Sequence, residues 1–246
     1  MDYPSNNEDW LMRVAKGLVA GHSLVQKFGE NPAVGTSLES VWDAGGLYPW
    51  DTFAVGGDNL SIVSTLAADS LTGTGARTIR VTGFDASGLE LHEDMDMDGV
   101  TPVITTNKFT RVFRVVVTTA GTGKTTAGTI TASIGATVVA QVINGNNQTL
   151  MALMGIPSNR TGFLLFGKAS VGKGKTLNGR FYMRPVGGVF NVQHTFEVYQ
   201  GSYEYPFRAV PMIPSGTDLD FRAKADAAIA VSAAFDVLLV DNDLLT

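Results

Sequence analysis

Cysteine is absent from all 246 residues. That absence excludes a disulfide framework, thiol catalysis and thiolate metal sites together, so persistence in a harsh exterior has to come from packing or assembly. Basic charge is scarce as well. Lys and Arg number 18 against 23 Asp and Glu, a formal net charge of −5, and no basic run is long enough to neutralise a series of phosphates. Nucleic acid is therefore not an expected partner. No stretch approaches the ~18 unbroken apolar residues of a membrane span. The apolar segment from Trp10 to Ala20 is preceded by Glu8 and Asp9 and interrupted by Arg13 and Lys16, which is not the form of a signal peptide. The expectation is a soluble chain made in a cytoplasm, with no standard export signal and no membrane partner.

Hydrophobic residues make up 44% of the sequence, enough to fill one large core or two small ones. Trp10, Leu11, Val14, Leu18 and Val19 recur at near-helical spacing and end at Gly21, which predicts one short amphipathic helix. Between Gly21 and Trp50, Gly29, Pro32, Gly35, Gly45, Gly46 and Pro49 separate Phe28, Trp42, Tyr48 and Trp50. Such punctuation reads as an extended arm that docks on a neighbour.

From Thr52 the pattern changes to short β-branched runs between turn residues. Leu60 to Val63, Thr78 to Gly83, Leu89 to Met97, Phe109 to Thr118 and Gly128 to Ile134 read as strands. The style continues with Thr137 to Ile143, Thr161 to Ser170, Gly179 to Pro185, Asn191 to Tyr199, Phe207 to Met212, Leu219 to Ala225 and Val231 to Val240. The predicted fold is all-β: two β-sandwich modules, jelly-roll or Ig-like, with a short N-terminal helix and an extended arm. The corresponding boundaries are 1–51 for helix and arm, 52–136 for the first module and 137–246 for the second. A single continuous sandwich of about 200 residues is the alternative.

Motifs that would carry chemistry are incomplete. Gly121-Thr122-Gly123-Lys124-Thr125 ends like a phosphate-binding loop, but the first glycine of such a loop would fall at Thr118, and the residues that follow read as strand rather than helix. Gly172-Lys173 is followed by Gly174 where Ser or Thr is required. Asp94-Met95-Asp96-Met97-Asp98-Gly99 opens like a calcium loop, yet Thr105 stands where a bidentate Glu is needed. The plainer reading is a half-buried strand with Leu89, Leu91, Met95 and Met97 inward and Glu90, His92, Asp94, Asp96 and Asp98 outward, Glu93 being the exception. His22, His92 and His194 lie in unrelated contexts with no partner motif for hydrolysis. No catalytic residue, cofactor or metal is expected. Phe181, Tyr182, Phe190, Phe196, Tyr199, Tyr203, Tyr205 and Phe207 form either sandwich core or a ring platform for a sugar or receptor.

Several stretches taken together resemble a known family. They are Gly21-His22-Ser23-Leu24-Val25-Gln26-Lys27-Phe28-Gly29-Glu30-Asn31-Pro32, Val41-Trp42-Asp43-Ala44-Gly45-Gly46, Gly73-Thr74-Gly75-Ala76-Arg77-Thr78, Arg184-Pro185-Val186-Gly187-Gly188-Val189-Phe190 and Phe235-Asp236-Val237-Leu238-Leu239-Val240-Asp241-Asn242. Across residues 21–242 the chain is similar to virion structural proteins common in tailed bacteriophages, especially marine ones. The resemblance implies a particle component assembled in the bacterial cytoplasm and carries no catalytic residue set. The leading expectation is a capsid decoration protein that binds the major capsid protein as a homo-oligomer, with a trimer favoured. Trp10, Leu18, Phe28, Trp42, Tyr48 and Trp50 are the expected partner-binding residues, because buried aromatics dominate interface energetics. The expected anchor, residues 1–51, would then be dispensable for folding. A tail adaptor or fibre-base protein is the alternative, and a carbohydrate-binding module or glycosidase a more distant one.

Overall fold

The computed structural model describes residues 9–245; Glu8 and the rest of residues 1–8 lie outside them. One helix, α1 (Trp10–Ala15), is followed by β1 (His22–Val34), β2 (Glu39–Ser40), β3 (Ser61–Ser64), β4 (Ala76–Phe84), β5 (Glu90–Asp96), β6 (Val103–Ile104), β7 (Arg111–Ala120) and β8 (Ile130–Ile134). Then come β9 (Thr137–Val142), β10 (Leu153–Gly155), β11 (Arg160–Arg184), β12 (Asn191–Pro206), β13 (Met212–Ile213), β14 (Asp218–Ala225) and β15 (Ile229–Asp241). The chain is all-β, as its alternation and turn residues predict.

The larger unit is built around the 25-residue strand β11. Along one edge β11 pairs with β12, from Phe166↔Pro206 to Met183↔Asn191. Its other edge is shared: residues 160–171 pair with β15 and residues 177–184 with β14. Between Val171 and Thr176 the register with β12 slips, with Gly174 at φ 75° and Gln200 at φ 42°, so the strand turns a corner without ending. Gly172-Lys173-Gly174-Lys175 therefore looks like a loop in sequence but is a bulge in one bent strand. The bend lets the inward residues of β14 (Leu219, Phe221, Ala223) and β15 (Val231, Phe235, Val237) share one core.

The expected arm is instead a strand of this unit. β1 pairs antiparallel with β15 from His22↔Val240 to Asn31↔Val231, and its register shifts only around Pro32. Gly29 is required because the backbones of Val41 and Ala152 cross so closely that a Cβ would collide with both. The glycine and proline that suggested an arm are thus the accommodations of a crowded strand.

The smaller unit comprises a four-stranded sheet, β6-β3-β8-β9, and a three-stranded sheet, β5-β4-β7. Their inward residues, among them Leu60, Ile62, Ile79, Val112 and Ile130, are fully buried together. It is inserted between β2 and β10 of the larger unit. Two expectations are corrected by this nesting. The boundary at 136/137 does not fall between units, because β9 pairs with β8 in the smaller sandwich. Residues 1–51 are not a separable anchor either, because β1 and β2 belong to the larger sheet.

Candidate functional site

Alternation along two neighbouring strands creates a polar seam. On β11, Phe181 and Met183 enter the core while Tyr182 and Arg184 take the other face; on β14, Leu219 and Phe221 enter it while Asp218, Asp220 and Arg222 do not. Register sets Tyr182 opposite Asp220 and Arg184 opposite Asp218. Read as an isolated sheet, this face would meet water. The smaller unit covers it instead, leaving Asp218 4% and Asp220 0% exposed.

The buried carboxylates are matched by donors from across the chain. Asp220 Oδ2 accepts from Trp50 Nε1 at 2.9 Å, Ser40 Oγ at 3.0 Å and Arg222 Nε at 2.8 Å. Its Oδ1 has no partner among the described residues. Burial pushes the Asp220 carboxyl up, against the opposing pull of Arg222 and of its hydrogen bonds to Trp50 and Ser40. Asp218 takes Arg111 in a two-pronged pair at 2.9 and 3.0 Å, and Oδ2 also accepts from Arg184 Nε and Nη2 at 3.0 and 2.8 Å. The remaining edge of Arg184 meets Asp51 Oδ1 at 2.6 Å. Aromatic faces complete the seam: Arg184 lies 4.7 Å from the Phe190 ring centre, and Arg222 lies 4.3 Å from Phe190 and 4.6 Å from Tyr182. Where the seam opens to solvent, Arg111, Arg184 and Asp218 line a groove of about 640 Å³.

The six expected partner-binding residues separate into groups. Trp42, Tyr48 and Trp50 form an edge-to-face ladder with ring centres 5.0 and 4.8 Å apart and are at most 4% exposed. They are spent on the chain's own core and present no surface to a partner. The Tyr48 hydroxyl donates to the Val112 carbonyl at 3.1 Å, and burial pushes its phenol up. Phe28 is half-buried beneath the Arg114 guanidinium, 5.6 Å from its ring centre. Trp10 and Leu18 remain outside. Asp9 caps α1 by accepting from the Leu11 N–H, and Val14 alone of the helix is buried, in a cluster with Leu238 and Val240 on the outer face of β15. Trp10, Met12 and Leu18 are 43%, 51% and 60% exposed, and Leu11 is exposed beside them.

The other sequence motifs have structural explanations. Gly121 to Thr125 joins β7 to the segment before β8 as a turn with Lys124 at φ 56°, and it feeds no helix. Asp94 is paired with Arg80 through two bonds of 2.7 Å, so it holds a strand-to-strand ion pair. Glu93 accepts the backbone N–H groups of Thr106 and Asn107 at 2.7 and 2.9 Å, which explains its place on the apolar side. Among the described residues no group of three or more His, Asp or Glu side chains could hold a metal ion. The rings of β12 divide: Phe196 and Tyr203 pack against the core and stack on each other at 4.3 Å, while His194 stacks on the exposed Tyr205 at 4.6 Å, and burial lowers the His194 pKa. Tyr199 stays 69% exposed.

Sequence reasoning missed Arg111, Arg184 and Asp218. The signal present was charge alternating with large apolar residues on two strands, which marks a polar face but not what covers it.

No family model matches the chain. No curated protein matches it either. Among solved structures it is similar to a chain of infectious bursal disease virus, Gx strain, with 11% identity over 90% of this chain and 71% of that one, at a TM-score of 0.25. It is also similar to a chain of the T=1 particles derived from infectious bursal virus, with 11% identity over 94% of this chain and 75% of that one, at a TM-score of 0.23. Similarity at these TM-scores carries no weight for fold or function.

Proposed function

We propose that this chain is a non-catalytic virion structural protein, in the form of a capsid decoration protein that binds the major capsid protein and stabilises the head. The observation that carries this reading is the set of exposed apolar side chains on and just after α1. A six-residue helix does not hold itself in water. This one is held by Val14 against the sheet and still leaves Trp10, Leu11 and Met12 exposed, with Leu18 exposed just beyond its end. Large apolar side chains left in solvent together along a segment are candidates for an interaction site, and a tryptophan among aliphatics has the composition of an interface anchor. The resemblance of several of its stretches to virion structural proteins of tailed phages supports the same setting. The anchor is thus narrower than residues 1–51: it is α1 with Leu18, seated on a body that includes β1.

Quantitative mass spectrometry of purified virions tests the location. Copies comparable to the major capsid protein support decoration of the head. A few copies per particle favour the tail adaptor reading, for which the exposed Tyr199 would be a contact, and absence from virions rejects both. A Trp10→Ser, Leu18→Ser chain should fold normally and fail to join particles; normal incorporation rejects the α1 anchor.

A further inference from the structure

The groove between the two sandwiches holds two arginines and two aspartates whose exposure to solvent is unequal. On its floor, Arg111 and Arg184 share the single carboxylate of Asp218. The fourth charge is Asp51, whose side chain is 89% exposed while that of Arg184 is 12% exposed. An exposed carboxylate gains little from such a pair, because water competes for it and the side chain loses freedom. A guanidinium with little solvent of its own, in contrast, gains from any carboxylate brought to it with geometry that fits its planar fork. Asp51 sits in a short 3-10 turn, Trp50–Thr52, at the groove wall. Rotation of this one side chain into water exposes the outer edge of Arg184 and leaves two positive charges for one negative at the bottom of a concave site.

The walls suit a peptide rather than a free ion. Val55 and Val186 line the groove and are 97% and 77% exposed. We propose that the groove binds a glutamate or aspartate side chain of an acidic, apolar-flanked segment of a partner protein. Its carboxylate replaces Asp51 on Arg184, and its neighbours rest on Val55 and Val186. A carboxylate is favoured over a phosphodiester chain because a carboxylate, that of Asp51, already occupies the position on Arg184. This site is independent of α1 and stands or falls apart from the attachment reading.

The test uses the isolated full chain and a fluorescent, end-blocked peptide of alternating glutamate and valine, followed by anisotropy. The matched peptide with glutamine in place of glutamate and a short single-stranded oligonucleotide serve as controls. The glutamate peptide should bind and both controls should fail. Asp51→Asn removes the internal competitor from an exposed position, so it should tighten binding by about two- to fivefold. Arg184→Gln should weaken it by about tenfold or more. A purely structural Arg184 predicts no tightening in Asp51→Asn, a variant whose fold is checked by its melting curve. Unchanged affinity in that variant, or equal binding of the glutamine peptide, overturns the proposal. Preference for the oligonucleotide replaces it with a phosphate site.

Discussion

Trp50 donates its indole N–H to Asp220 across 2.9 Å, joining residues 170 positions apart and fastening the start of the inserted sandwich to the face of the larger one. Removal of that donor tests whether the two units are held by the seam. Trp50→Phe keeps an aromatic ring but takes one of three partners from a fully buried oxygen. Denaturant unfolding should show a loss of about 1–3 kcal/mol. An unchanged midpoint would mean that the indole bond is incidental.

Asp69 is the pin of the smaller unit. Its carboxylate accepts from the backbone N–H groups of Ala76, Ala127 and Gly128 at 2.7 to 2.8 Å and from Ser64 Oγ at 2.6 Å. Asp69→Ala would leave buried donors from two loops unmatched, at a cost of about 3–5 kcal/mol. Hydrogen exchange should report faster exchange first at Ala76, Ala127 and Gly128. Protection unchanged there would contradict this role.

Lys27 is 4% exposed and donates to the Phe113 carbonyl at 2.6 Å. Burial, with repulsion from Arg114, lowers its pKa to about 7 from 10.5. The unfolded chain therefore binds more protons between those values, and stability should rise with pH across that window by up to about 1.4 kcal/mol per unit. Lys27→Met should be the more stable protein below pH 7, with its advantage shrinking steadily toward pH 10. Parallel pH profiles for the two proteins would show that the lysine does not titrate in this window.

Asp43 behaves in the opposite sense. It is 3% exposed, its Oδ2 accepts from the Leu150 N–H at 2.7 Å, and its Oδ1 has no partner among the described residues. Burial raises its pKa to about 7 from 3.8, against the pull of the Leu150 hydrogen bond, and Glu30 adds to the rise. The folded state holds this proton longer than the unfolded one. The resulting stability is fully present below pH 3.8 and is lost as pH rises through about 7. Asp43→Asn keeps the acceptor for Leu150, so it should match the parent near pH 4 and exceed it at pH 8. Equal melting temperatures at pH 8 would count against a strained carboxylate.

Deletion of residues 1–51 should now abolish folding rather than free a β domain. The cut removes β1 from the whole length of its pairing with β15, and it removes Trp42, Tyr48 and Trp50 from the shared core. Recovery of a soluble, cooperatively melting fragment would restore the picture of a dispensable arm.

The sequence by itself determined the all-β class, the short helix, and most strands. Val231 to Val240, Leu219 to Ala225 and Thr78 to Gly83 alternate at the two-residue period that fixes which side chains share a face. It also pointed to an acidic-faced strand around Glu90 to Asp96, because carboxylates alternate there with Leu91 and Met95. Only the tertiary structure decided what each face meets. Whether Asp218 and Asp220 lie in water or under Trp50 depends on contacts more than a hundred residues away. The conversion of Gly29 and Pro32 from loop signals into features of a paired strand is likewise tertiary, since the ladder and the crossing backbones come from residues 41, 152 and 231–240. Local sequence sets the period of a strand, whereas the partner that covers its polar face is chosen by the packing of the whole chain.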